Sequence, residues 1–187
     1  AGVQWLRDKL NFFQKASETE NIVKSLKNNK GVYLVPAFTG LGAPYWDANA
    51  RGVLSGLTRD TGPKEIIRAT IESVAYQTYD LFEAMKHDGL RPKLVKVDGG
   101  MVMNNWFSQF LSDVVDIKVL RPKVQETTAL GAAFMAGLQI GVYKSLADIS
   151  KNWQLDKNFT PKIKSKERNN LVKGWSAAIK KTLTKTI

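Results

Sequence analysis

The sequence predicts an α/β fold, and three observations carry that prediction. Short apolar runs of strand length, at residues 32–35, 94–97 and 118–120, alternate with longer stretches of helical period. The segment 94–139 reads strand, helix, strand, helix, which is one parallel βαβα unit with a right-handed crossover. The first strand of that unit runs into Asp98-Gly99-Gly100, a turn that brings bare main chain to the carboxyl end of a sheet. Strands and helices in this order pack as layers of the α/β class.

The elements follow in chain order. Residues 3–14 read as an amphipathic helix, with Val3, Leu6, Leu10 and Phe13 at spacings of three and four. The polar start at residues 17–21 opens a second short helix carrying Ile22, Val23 and Leu26, and Lys27-Asn28-Asn29-Lys30-Gly31 ends it. Residues 32–35 are a short buried strand. Residues 52–57 are another, whose Gly52 and Gly56 call for a close backbone neighbour or a bulge.

The clearest helix comes next. Thr61-Gly62-Pro63 supplies a start with proline in the first turn, Glu65 suits the helix dipole, and Asp88-Gly89 stops it. Between these signals Ile67, Ile71, Val74, Thr78, Leu81 and Met85 recur at spacings of three and four. Residues 94–97 are a strand, 104–115 a helix, 118–120 a brief strand and 127–139 a helix. Ala129, Ala132, Ala133, Ala136 and Gly137 make this last helix small-sided and fit for close packing, and Glu126-Thr127-Thr128 reads as its N-cap. After Pro161, residues 166–184 form a final helix with Leu171, Trp175, Ala178, Ile179 and Leu183 on one side.

A chain of 187 residues that is 43% hydrophobic and 24% charged suits one domain, residues 1–187, with a sizeable core. With no cysteine, neither a disulfide framework nor a thiolate metal site is open to it. A single histidine, His87, leaves little material for a histidine metal site or a Ser-His-Asp triad. No apolar run reaches the roughly 18 residues of a membrane span and no secretory signal is seen, so a cytoplasmic protein without a membrane partner is expected. The start at Ala1-Gly2-Val3, without methionine, is what a fragment or a processed product would look like.

Of the net charge of +11, residues 151–187 carry +8, from ten Lys/Arg against two acids. Such a basic helical tail admits a nucleic-acid-binding reading. Yet Trp153, Phe159 and Trp175 are sparse and the lysines are spread out, so a solvated helix face is the preferred reading and no nucleic-acid partner is expected.

The stretch 31–72 holds the most unusual local sequence. Its loop Pro36-Ala37-Phe38-Thr39-Gly40-Leu41-Gly42-Ala43-Pro44-Tyr45-Trp46 mixes conformationally special residues with aromatics, and packing must hold it. After Arg51 come Gly52-x-Leu54-x-Gly56-Leu57, Glu65-Ile66 and Ala69-Thr70-Ile71-Glu72. Together these closely resemble the glycerol kinases of the FGGY carbohydrate kinase family, and the resemblance runs from Gln4-Trp5-Leu6-Arg7-Asp8 to about Lys181. It covers the C-terminal portion of such an enzyme.

The resemblance implies the C-terminal half of an actin-like ATPase (ribonuclease H-like) fold, truncated at its N-terminal strands. It also implies phosphoryl transfer from ATP, with Mg²⁺, to glycerol, giving glycerol 3-phosphate and ADP. The positions that match the family's ATP contacts are Gln4, Gly100 and Asn104. Gly100 would let the nucleoside lie against main chain, and the Asn104 carboxamide can both donate and accept. The helix after the Gly-Gly turn would aim free N–H groups at the same spot.

The family's catalytic carboxylate, its Gly-Thr-Gly phosphate turn and its glycerol pocket precede Ala1. No catalytic or metal-binding residue is therefore expected in this chain, which alone should be inactive without the N-terminal kinase domain. An uncovered sheet edge is expected too, and with it possible self-association into a homo-oligomer.

Several other residues stay open. Asp98 either orients a Mg²⁺-bound water or stabilises its turn, the latter being preferred. The loop 38–46 is either a ligand platform or a packing surface for another domain or subunit, again with the latter preferred. Arg51, Arg59 and Arg68 suit salt bridges better than phosphate binding. The rival functions are another FGGY sugar kinase, such as one acting on a pentulose, and a non-catalytic nucleic-acid-binding or scaffold module.

Overall fold

The computed structural model describes residues 1–184. Seven α-helices and five strands alternate through them: α1 (Gly2–Asp8), α2 (Glu18–Lys24), β1 (Tyr33–Val35), β2 (Val53–Ser55), α3 (Pro63–His87), β3 (Leu94–Lys96), α4 (Asn105–Val115), β4 (Lys118–Pro122), α5 (Thr127–Gln139), α6 (Leu146–Ser150), β5 (Leu155–Phe159) and α7 (Ser165–Thr182). A 3₁₀ turn, Gly100–Met103, joins β3 to α4. Strands β1 and β2 pair antiparallel, with Leu34 opposite Leu54. The other sheet has the order β3-β4-β5, parallel between β3 and β4 and antiparallel between β4 and β5.

Helix α3 is the spine of the molecule. Pro63 sits in its first turn and the Glu65 carboxylate returns to the Gly62 N–H at 3.0 Å, so two terminal groups are settled locally. Its face bearing Ile67, Ile71, Ala75 and Tyr76 is buried against α4 and β1. Each aliphatic side chain of this kind contributes roughly 1.5–3 kcal/mol on burial. The period continues through Leu81 and Met85, but both are partly exposed because the last turns of α3 run past the core.

At the centre Tyr76 stacks on the fully buried Trp175 with ring centroids 5.3 Å apart, and meets Phe110 edge-on. Arg68 lies over Trp106 and bonds Glu72 at 2.7 Å, while Asn29 donates to the same carboxylate, so α3 is tied to the loop before β1. Of the three arginines weighed from sequence, Arg68 thus makes a buried ion pair and Arg51 binds the carbonyls of Ala48 and Ala50.

Several sequence expectations need correction. The first helix spans Gly2–Asp8, not 3–14. Asn11 adopts φ 54°, which breaks the helix, and Phe13 reaches the core from the following loop. The helix expected at 104–115 is preceded by the 3₁₀ turn, since Gly99 at φ 81° and Gly100 let the chain tighten there.

Residues 151–184 are not simply a helical tail. Residues 155–159 are β5, an integral edge of the three-stranded sheet, and α6 went unread because its five residues are too short for a period to show. The aromatics of that segment are spoken for. Phe159 and Trp175 are buried, and Trp153 stacks with Lys96 at 4.3 Å. Helix α5 has the expected bounds, but its small residues do not pack closely among the described residues: Gly137 alone is buried. Glu126 occupies its N-cap position without a side-chain capping bond.

Strand β3 forms the other edge of its sheet, with Leu94 47% exposed. Gly56 answers the expectation of a close backbone neighbour, because a Cβ there would stand 2.0 Å from the Gly31 carbonyl oxygen. Most of the large side chains of the loop 38–46 turn inward, although Thr39, Gly42 and Ala43 are exposed. Phe38 lies on Trp5 with centroids 5.2 Å apart, Leu41 is buried, and the Ala43–Pro44 bond is cis. Trp46 is the exception, 76% exposed.

Candidate functional site

Helices α1, α2 and α3 and the 3₁₀ turn surround a cavity of about 540 Å³. That falls within the range of small-molecule and cofactor sites. Its walls are mixed. Val3, Ile71, Val74, Met101 and Met103 offer apolar surface, and Thr70, Ser73 and Gln77 present a polar stripe along α3. Gln4, Gly100 and Asn104, which lie up to a hundred residues apart in sequence, all line this one cavity.

The local structure fixes each of them differently. Gln4 stands on α1 with its side chain exposed, held in place by the buried Leu6 of the same helix. Gly100 has open space where a Cβ would be, with no heavy atom within 4 Å, so its bare face is not demanded by the protein's own packing. Asn104 caps α4, its Oδ1 accepting from the Phe107 N–H at 3.0 Å. Its Nδ2 points to Thr19 Oγ1 at the long distance of 3.4 Å.

This geometry narrows one chemical expectation. In the first turn of α4 Asn104 takes the N–H of Phe107 and Glu20 Oε2 takes that of Asn105 at 3.2 Å, which leaves that of Trp106 without a partner among the described residues. The cap uses one of the two lone pairs of the Asn104 oxygen, so its Nδ2 donor is the freer end of the carboxamide.

Sequence reasoning missed Thr19 and Glu20. They lie 85 residues from the Asn104-Asn105 pair they contact, and a short polar helix carries no local sign of such a role. Glu20 accepts from Asn105 Nδ2 at 3.3 Å and from Lys24 at 2.5 Å. Burial works against its ionisation, but the bonds from Lys24 and Asn105 outweigh this and hold its pKa below the ordinary glutamate range. Thr70, Ser73 and Gln77, at spacings of three and four beside the apolar face of α3, were a readable signal.

Arg121 braces the turn from behind. Buried on β4, it donates to the carbonyls of Val102 at 2.8 Å and Met103 at 3.4 Å, and Asp156 fixes it at 2.7 Å. Asp98 accepts from the Thr127 hydroxyl, tying the strand end to the first turn of α5. Among the described residues no group of three or more histidines, aspartates or glutamates comes together to hold a metal ion, and no helix is long and apolar enough to cross a membrane.

The sequence profile of the FGGY family of carbohydrate kinases, C-terminal domain, matches residues 1–140. Among curated relatives, glycerol kinase 1 of Pseudomonas aeruginosa is 52% identical over 181 residues, which are 97% of this chain and 37% of that protein. Among solved structures, Plasmodium falciparum glycerol kinase with ADP superposes with a TM-score of 0.86 at 35% identity, covering 99% of this chain and 37% of the other. A xylulose kinase from Lactobacillus acidophilus gives a TM-score of 0.76 at 25% identity, over 96% of this chain and 36% of its own. The chain thus spans little more than a third of the proteins it matches.

Proposed function

This chain belongs to the FGGY family of carbohydrate kinases, and we propose that it is the nucleotide-holding part of a cytoplasmic glycerol kinase. In this reading residues 1–187 act as one unit that binds ATP. The longer protein transfers the γ-phosphoryl group to a glycerol hydroxyl, giving glycerol 3-phosphate and ADP.

One observation carries the proposal: Gln4, Gly100 and Asn104 open onto a single cavity large enough for a nucleoside. The 52% identity to a glycerol kinase, against 25% to a xylulose kinase, favours glycerol over a pentulose.

The roles of the residues follow from their chemistry. The adenosine moiety lies between the apolar walls of Ile71 and Met101, which exclude water from it. Gly100 presents main chain without a Cβ, and a side chain at that position would occupy the ligand's space. Asn104 donates from Nδ2 to an acceptor on the base or ribose, and Gln4 supplies a carboxamide at the mouth. Mg²⁺ would accompany the nucleotide phosphates. The described residues offer it no carboxylate cluster. Nor does any residue here act as the base that takes the glycerol proton.

Titration of the purified chain with an ATP analogue tests this reading. The amide signals of Gly100 and Asn104 should shift saturably, and the chain alone should phosphorylate no glycerol above a protein-free control. Shifts confined to the basic face of α7, or no shift at all, would overturn it.

A further inference from the structure

We propose that Glu20 is a specificity-determining residue of the nucleotide cavity: with Asn104 it reads a purine edge that sets a ring acceptor beside an amino group, as 6-aminopurine does. The inference rests on the reading that this cavity holds a nucleotide.

Asn104 supplies the donor half of the pair. Its oxygen already accepts from the Phe107 N–H, while Nδ2 has a protein partner at 3.4 Å that is long enough to be displaced. Glu20 supplies the acceptor half. It lines the same cavity and is clamped to the residue next to Asn104, through the Asn105 N–H at 3.2 Å and Nδ2 at 3.3 Å. A carboxylate has about four lone-pair sites and no donor. Lys24 and the two Asn105 groups use three, which leaves Oε2 a second site free.

Donor and acceptor are therefore fixed side by side on one short stretch of wall. The amino group and adjacent ring nitrogen of adenine complement them. Guanine sets a carbonyl beside N7, and that carbonyl would face the carboxylate. A site built to bond an amino group discriminates strongly against an analogue lacking it, because its own polar group is then left unpaired.

Calorimetric titration of the chain with ATP, GTP and purine riboside 5′-triphosphate, which has hydrogen in place of the amino group, tests the assignment. Wild type should bind ATP on the order of 10-fold or more tighter than either analogue. Glu20→Ala should bring ATP down to the level of the purine riboside nucleotide and leave the latter unchanged. Equal binding of ATP and either analogue by wild type overturns the assignment without need of a variant. So does an equal loss of ATP and purine riboside nucleotide in Glu20→Ala, which would mark Glu20 as merely structural. If none of the three nucleotides binds wild type, the nucleotide reading itself fails and this inference with it.

Discussion

Trp175 Nε1 donates to Asp80 Oδ2 at 2.7 Å inside the core, joining α7 to α3 across 95 residues of chain. Burial pushes the Asp80 carboxyl above the usual aspartate range, and the bonds from Trp175 and the Tyr45 phenol oppose that only in part. Because the fold raises this pKa, the contribution of Asp80 to stability is full below the ordinary aspartate value and is lost as pH rises through the higher one. Asp80→Asn keeps an acceptor for Trp175 and removes the ionisation. It should therefore equal or exceed wild type near neutral pH and lose that advantage toward about pH 4. Asp80→Ala strands a buried N–H and should cost about 1–3 kcal/mol at every pH. Urea unfolding at the two pH values separates these outcomes.

Asp47 behaves in the opposite sense. The Thr184 N–H at 2.7 Å, the Thr184 hydroxyl and the amides of Asn49 and Ala50 all donate to it. The Thr184 backbone bond comes first among the causes that hold its pKa below the ordinary value. A lowered pKa gives stability that is present above the unfolded value and lost as pH falls through the folded one. The acid limb of the wild-type stability profile should flatten in Asp47→Asn. Exchange of the Thr184 amide should quicken on the order of 10-fold as its acceptor weakens. An unchanged acid limb would count against this account.

Two glycines should part company. Gly56 sits at φ 84° with its missing Cβ 2.0 Å from the Gly31 oxygen, so Gly56→Ala forces β1 and β2 apart as well as straining the backbone. A loss of about 2 kcal/mol or more is expected, with little change in nucleotide affinity for the folded fraction. Gly100→Ala meets open space and should leave stability within about 0.5 kcal/mol while weakening nucleotide binding. Thermal melts paired with titrations distinguish a structural glycine from a functional one.

Arg121→Met should be costly for another reason. It leaves Asp156 without its ion-pair partner and the Met103 carbonyl without the Arg121 donor, while the Val102 carbonyl keeps the Ser108 hydroxyl at 2.9 Å. Asp156 is partly exposed, so about 2–3 kcal/mol is expected, below the range for a fully buried pair. Nuclear magnetic resonance should place the largest shifts in residues 100–105, which Arg121 contacts although they are distant from it in sequence.

The sequence was most legible where a signal is local. The start of α3 at Gly62-Pro63, its period through Ile67 and Ile71, and the strand ends at Leu94 and Lys118 are written in neighbouring residues. Strand β5, Leu155–Phe159, escaped because Leu-Asp-Lys-Asn-Phe has little strand character of its own, and pairing with β4 decides it. Gln4, Gly100 and Asn104 were singled out by resemblance. That Thr19 and Glu20 stand beside them had no local trace.

The sequence by itself determined the class of fold, the spine helix, the glycine turn after β3 and the family to which they belong. It did so because helical period, caps and Gly-specific backbone are properties of adjacent residues. Only the tertiary structure decided which atoms remain free. Asn104 could donate or accept as a free side chain, and the Phe107 N–H took part of its acceptor capacity. Phe159 and Trp175 could have been surface platforms, and the packing of β5 and α7 made them core. A hydrogen-bonding group has a fixed capacity, and what a ligand can use is whatever the fold has not already taken.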